Sequence, residues 1–484
     1  MLKTLGELID SGYKYKTIKE ELKDNLIKFL SKNETAFNGI IGYENSVIPE
    51  IERAILSGHN INLLGLRGQA KTRIARGMIN LLDEYIPYVN GSEINDDPQN
   101  PISTYAKNLI LELKNDTPIS WLHRNDRYSE KLATPDVSVA DLIGDIDPIK
   151  AANLKLSISN EKVIHYGIIP RSNRSIFVIN ELPDLQARIQ VALLNILQEG
   201  DVQIRGFKLR LPLDIQFIFT ANPEDYTNRG SIITPLKDRI GSQILTHYPK
   251  NLVQAIEITN QEVKSINSVF VPEIAKELIE QISFEARKSE YVDQKSGVSA
   301  RLSISAYQNL LSTAQRRMIM NNEKSTTVRI SDFQGVIPAI TGKVEMVYEG
   351  EQEGAVAVAY NLVSKAIKTT FTLLYPSPEK KNKNKESVYT EIIKWFNLGN
   401  VIDIGYDISN KEYKKNLLNI DSLKAFVDKM ITEDKEVNVS EEEKLFIMEF
   451  VLWGLSEYSM ISCAKLESGV ILSDMLSSLL SSDE

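Results

Sequence analysis

Over the first 36 residues apolar positions recur at helical spacing: Leu2, Leu5, Leu8 and Ile9, then Leu22, Ile27, Phe29 and Leu30, all among charges. That spacing predicts an N-terminal helical segment over 1–36. From Gly39 to about Tyr248 the pattern changes, and short β-rich runs alternate with helical stretches. The runs Ile61-Asn-Leu-Leu, Ser175-Ile-Phe-Val-Ile and Ile215-Gln-Phe-Ile-Phe-Thr are the clearest strands. Such alternation predicts an α/β domain over 37–250, a parallel sheet with helices on both faces. Helical spacing returns at Leu302, Ile304, Tyr307, Leu310, Leu311 and Ala314, which predicts a smaller all-α domain over 251–350. A helix and a polar linker follow over 351–387, with Pro376-Ser-Pro-Glu-Lys-Lys at the break. The last segment, 388–484, reads as an acidic helical extension. Its Ser440-Glu-Glu-Glu443 capping box opens a helix whose apolar face, with Trp453, is expected to be an internal core face before a partner surface.

Composition adds exclusions. With 484 residues, 42% hydrophobic and 25% charged, the chain is ordinary globular protein with room for two to four cores. A single cysteine, Cys463, removes an internal disulfide framework and a multi-cysteine zinc site. His59, His123, His165 and His247 are too scattered to share a metal. Glu7 and Asp10 interrupt the first apolar stretch before a secretory core could form, and no uncharged run approaches the ~18 residues of a membrane span. The expectation is a cytoplasmic protein with no membrane partner.

From Val388 onward there are 9 basic against 18 acidic residues, which accounts for the whole formal net charge of −9. The rest of the chain is neutral overall, so bulk charge argues against nucleic acid. Arg316, Arg317 and Lys324 form a local basic trio best read as solvated helix surface. Asn95-Asp-Asp-Pro98 and Asp136 to Asp141 lack ligand spacing for a cation and read as solvated loop.

Chemistry concentrates after the strand Ile61 to Leu64, in Gly65-Leu-Arg-Gly68-Gln-Ala-Lys71-Thr72, followed by Arg73 and a helical pattern. In the order strand, glycine-rich loop, helix, successive backbone N–H groups can cradle phosphates. Lys71 would contact the β and γ phosphates and the Thr72 hydroxyl would hold magnesium. Ala70 stands where a second glycine normally falls, and costs little there if its φ is negative. A second strand, Ile176 to Ile179, ends in Asn180-Glu181. Glu181 is placed for a general base polarising water, while Asn180 offers a neutral amide to a metal-bound water where a carboxylate is usual. The third strand ends in Ala221-Asn222-Pro223: Asn222 either orients water beside the γ phosphate or is a turn residue before the proline.

Taken together these residues resemble the AAA+ ATPases, and among them the clade of MoxR proteins and magnesium-chelatase I subunits, over about residues 38 to 350. Ile40-Ile41-Gly42-Tyr-Glu44 is similar to the segment beside the adenine in that family. Ile233 to Ile240, with Arg239, resembles the arginine-finger segment, and Ser296 to Arg301 the second sensor. Surface salt bridges stay open as alternatives for both arginines. The resemblance implies ATP and Mg2+ as cofactors. Its nucleotide set would be Ile40, Ile41, Gly65, Gly68, Gln69, Ala70, Lys71, Thr72 and Arg73, with Thr72 and Asn180 toward the metal and Glu181, Asn222, Arg239 and Arg301 catalytic. It implies a ring, commonly a hexamer, with Arg239 reaching a neighbour's γ phosphate, and a partner protein with a von Willebrand A-like domain. It also places Arg174 where relatives often carry arginine. Gln198 to Lys208 has the look of a β-hairpin of the kind that clade uses on clients, and Phe207 at its tip reads as a packing residue before a client contact.

Overall fold

The computed structural model describes residues 1–156, 161–204, 210–223, 231–378, 387–433 and 439–475. It divides into two compact units, Met1–Tyr248 and Pro249–Glu484.

The first unit is built on five parallel strands: β1 Ile61–Leu64, β2 Tyr128–Leu132, β3 Ser175–Asn180, β4 Ile215–Ala221 and β5 Ser242–Leu245, in the order β5-β1-β4-β3-β2. β3 and β4 are almost wholly buried, as strands covered on both faces must be. Side chains alternate between the faces. Ile176 and Val178 join Leu22, Ile51 and Ile74 in one core, while Phe177, Ile179, Phe217 and Phe219 join Ile189 and Leu193 in the other. Because every strand is parallel, all carboxyl ends share one edge, with Leu64 level with Ala221 and Leu245, and Leu132 level with Asn180.

The N-terminal segment forms two helices, Leu5–Asp10 and Ile18–Ser31, and the second is part of a sheet core through Ile18, Leu22 and Leu26. Glu21 on that helix makes a buried bidentate pair with Arg127, at 2.7 and 2.6 Å. The aspartate-rich loop is not solvated. Asp96 and Asp97 are 0% and 1% exposed: Asp96 accepts from Ile102 and Ser103 N–H, and Asp97 pairs with Arg174 at 2.8 Å. Arg174 sits at the amino end of β3, at the edge opposite the glycine-rich loop, where it ties β3 to Pro87 O and Asp97. Asp201–Gln203 and Arg210–Pro212 pair as the expected antiparallel hairpin; Phe207 lies outside the described residues.

In the second unit the helices Leu252–Glu262, Glu273–Ala286, Arg301–Met320 and Ala355–Leu374 precede the extension, whose helices Thr390–Asn397, Asn410–Leu418, Asp421–Glu433 and Glu441–Glu457 come with an antiparallel sheet of Ile402–Gly405, Gly469–Ser473 and Ser462–Lys465. One hydrophobic core runs from Val263 to Leu472 and takes in both parts, including Trp453. Buried charges cross the same boundary. Glu449 accepts from the N–H groups of Ile330 and Ser331, both at 2.9 Å, and from the Tyr413 hydroxyl at 2.7 Å. Of the basic trio read as solvated helix surface, Arg316, paired with Asp407, and Lys324 are exposed, whereas Arg317 is buried because Asp332 neutralises it there. Among the described residues no helix is long and apolar enough to cross a membrane. The linker residues 379–386 and the end of the extension, 476–484, lie outside the described residues.

Candidate nucleotide site

At the carboxyl edge the chain leaves β1 through Gly65, whose N–H donates to Ala221 O at 3.1 Å. A Cβ on Gly65 would stand 2.0 Å from Thr246 Oγ1 and 2.2 Å from Gln69 Oε1, so only glycine fits. Those two groups hold each other, the Thr246 hydroxyl donating to Gln69 Oε1 at 2.7 Å. Gly68 has φ +75° and Ala70 has φ +56°, ψ 16°. The condition for a cheap alanine, a negative φ, is thus not met: the loop turns left-handed just before the helix Lys71–Gly77, and an alanine there costs about 1 kcal/mol. The Lys71 ammonium donates to Gly65 O and, at 2.9 Å, to Leu66 O, folding over the loop. The backbone N–H groups of the helix's first turn have no intrahelical acceptor.

A second layer ties the loop to Ile40–Glu44. Tyr43, 5% exposed, presents its hydroxyl to His247 O at 2.6 Å and to Gln69 O at 3.1 Å, and burial pushes its pKa up to about 12. Its ring meets the His247 ring edge-on at 4.8 Å. His247 Nδ1–H donates to Tyr248 O at 2.8 Å, which leaves Nε2 to accept from Ser46 at 2.9 Å. Tyr248 donates its hydroxyl to Arg67 O at 2.8 Å. Ile40 is buried beside Tyr43, and Ile41 is partly exposed. Sequence reading missed Tyr43, Thr246, His247 and Tyr248. The local signal for Thr246, His247 and Tyr248 was a polar run directly after the fifth strand, and Tyr43 lies within the segment Ile40–Glu44 already singled out.

At the ends of β3 and β4, Asn180, Glu181 and Asn222 reach the same edge. Glu181 is exposed and left-handed, φ 56° and ψ 49°, with its N–H on Thr220 Oγ1 at 3.1 Å; the Thr220 hydroxyl donates to Asn180 Oδ1 at 3.2 Å. Asn222 Oδ1 is buried without a partner among the described residues, an orphan acceptor one strand from the loop. A buried acceptor without a donor fits an incoming water or ligand. Thr72 and Arg73 stand on the first turn of the helix after the loop, half-buried and exposed. The glycine cradle, the Lys71 ammonium and the Thr72 hydroxyl fit a triphosphate with its magnesium. Among the described residues no cluster of three metal-ligating side chains occurs, so the phosphates themselves would complete a cation's shell.

Arg239 ends the helix Thr234–Arg239 of the same unit and donates to Gln198 Oε1 at 2.9 and 2.7 Å and to Pro235 O at 2.8 Å. Gln198 lies at the end of the helix that feeds the hairpin. Arg301 opens the helix Arg301–Met320 of the second unit, exposed, with its N–H on Ser299 Oγ at 3.2 Å. That unit also carries an open polar groove of about 600 Å³, lined by Arg316, Asn321, Asp407 and Glu412 among others. Three acidic side chains and one already paired arginine suit no phosphate, so the site is assigned to the loop despite the groove's size.

No family model matches the chain. It is similar to the magnesium-chelatase 38 kDa subunit of Cereibacter sphaeroides, 24% identical over 47% of this chain and 63% of the relative, and to that of Rhodobacter capsulatus, 25% identical over 46% and 59%. The chain thus spans about six-tenths of the length of the curated relatives it matches. Among solved structures, the complex between the BchI and BchD subunits of magnesium chelatase aligns with 66% of this chain and 98% of its own, at 18% identity and a TM-score of 0.35.

Proposed function

We propose that this chain, an AAA+ ATPase of the clade that includes MoxR proteins and magnesium-chelatase subunits, binds MgATP in the loop Gly65–Thr72 and hydrolyses it at the subunit interfaces of a ring, a hexamer, to remodel or activate a partner protein. The observation that carries the reading is the glycine-only cradle at Gly65 with the Lys71 ammonium folded over it, on the same sheet edge as Glu181 and Asn222. Lys71 leaves its carbonyl partners for the phosphate oxygens, and the backbone N–H groups of the loop bind the remaining charge. Magnesium, when bound, neutralises charge between the β and γ phosphates. Thr72 would hold it. Glu181 takes the proton of the attacking water, and Asn222 orients that water with its unpaired oxygen. Arg239 gives up Gln198 to reach the γ phosphate of a neighbouring copy, a contribution worth ~10³ to 10⁵ in rate where an arginine acts in trans. Arg301 serves as the second sensor. Ile40 and Ile41 pack against the base.

The partner the resemblance implies carries a von Willebrand A-like domain. Phosphate release from MgATP by the purified chain tests the reading. Lys71→Ala, Glu181→Gln and Arg239→Ala are each expected to lower turnover at least ~100-fold, with unchanged circular dichroism. Brisk turnover by Glu181→Gln would sink the assignment of the base. A second reading, an ATP-gated scaffold that hardly hydrolyses, is favoured by Asn180, whose oxygen is already committed to Thr220. It predicts ATP-dependent oligomers with little turnover.

A further inference from the structure

The end of β3 is wired in a way that decides which atom of Asn180 faces a ligand. Thr220 is 3% exposed. Its oxygen accepts the Glu181 N–H at 3.1 Å, and its one proton goes to Asn180 Oδ1 at 3.2 Å. A buried hydroxyl proton needs an acceptor. Were the amide turned over, Nδ2 would face the hydroxyl as a second donor, and the bond that the Thr220 proton makes to Asn180 at 3.2 Å would be lost. Hydrogen-bond satisfaction therefore sets the oxygen inward and the NH2 outward. Asn180 is only partly buried, and its Nδ2 donates to no described residue. The same threonine oxygen anchors Glu181 in its left-handed conformation.

A water bound to a cation turns its hydrogens outward and asks the protein for an acceptor, whereas phosphate oxygens ask for donors. We infer that Asn180, oriented by Thr220, is a hydrogen-bond donor to the terminal phosphate of the nucleotide and not a member of the magnesium shell, so that this site retains a triphosphate with little help from the metal. The inference rests on the ATP-binding reading above and deepens it: Thr220 becomes a positioning residue, and the metal set shrinks to Thr72 and the phosphates.

Calorimetric titration of the full chain with a non-hydrolysable ATP analogue, once with Mg2+ and once with EDTA, separates the two. The wild type is expected to lose no more than about threefold in affinity without the metal, whereas Asn180→Asp, isosteric but charged against the phosphate, loses at least about tenfold in EDTA and recovers with Mg2+. Thr220→Val removes the hydroxyl at equal volume and frees the amide to turn, so its metal-free affinity falls about three- to tenfold, and Thr220→Ser restores it. Equal metal dependence in the wild type and Asn180→Asp overturns the inference while leaving nucleotide binding intact. Metal-free affinity in Thr220→Val equal to that of the wild type overturns the role of Thr220. Absence of binding by the wild type in both titrations overturns the nucleotide reading itself.

Discussion

Ala70 shows how much one backbone angle decides. The loop needs a left-handed residue directly before Lys71, and alanine supplies it at φ +56° with its side chain exposed. Glycine there would remove about 1 kcal/mol of steric cost and add back most of it as unfolded-state entropy, whereas a β-branched residue would have no allowed fit. Ala70→Gly is therefore expected to change stability by less than about 1 kcal/mol, and Ala70→Val to destabilise by more than that, as read from urea unfolding midpoints. Lys71 and Thr72 stand out as candidates in the sequence because strand, loop and helix follow one another within a dozen positions, and Glu181 because a carboxylate directly ends an apolar strand run. Thr220, Tyr43 and His247 do not. The bonds that tie them across the edge, Thr220 to Glu181 and Tyr43 to His247, span 39 and 204 residues of chain, and no local spacing encodes such a bond.

At the scale of elements, the helix Ile18–Ser31 is held to the sheet by charge as well as by apolar contact. Asp214, just before β4, accepts the Ile18 N–H at 2.7 Å. Burial pushes its carboxyl up to about 6, against the opposing pull of the Ile18 hydrogen bond, Arg174 and Arg127, while Glu21 pushes the same way as burial. Lys19 and Tyr15 face it too. A carboxyl whose folded pKa lies above its unfolded value favours the fold in its protonated form. Its contribution is fully present below the unfolded value near 3.8 and is lost as pH rises through about 6. Asp214→Asn mimics the protonated form, and its amide oxygen can still accept from Ile18. It is expected to stabilise the chain by on the order of 1–2 kcal/mol at pH 7.5 and by little at pH 4, seen as a narrowing gap between the melting temperatures of variant and wild type. An equal gap at both pH values would show that Asp214 does not titrate in that window. The buried pair Arg127–Glu21 and the ion pair Arg174–Asp97 explain why an aspartate-rich loop that reads as solvated is interior: its carboxylates satisfy backbone donors and a guanidinium instead of water.

Across the second unit, the acidic extension and the helices before it form one core and one charge network. Glu449 is fully buried; burial raises its carboxyl, and the Tyr413 hydroxyl and Arg329 counter that rise. Truncating it would strand two backbone N–H groups, a tyrosine hydroxyl and a share of the Arg329 charge. Glu449→Ala is expected to cost about 3–5 kcal/mol, seen in scanning calorimetry as a lower unfolding temperature of the second unit. A shift of under a degree would mean the network is dispensable. Composition described the extension as an acidic helical tail. That description misses the fusion because a capping box and an apolar helix face announce a helix without naming what it packs against.

The sequence by itself determined the order of the first unit's pieces and marked its glycine-rich loop as the candidate phosphate loop, since periodicity, turn residues and the Lys71–Thr72 pair act over a few neighbouring positions. Only the tertiary structure decided the strand order that sets β4 between β1 and β3, the orientation of the Asn180 amide, the burial of Asp96, Asp97 and Glu449, and the engagement of Arg239 with Gln198. Those depend on which distant donors and acceptors are left facing each other once water is excluded, and that is settled by the packed sheet as a whole.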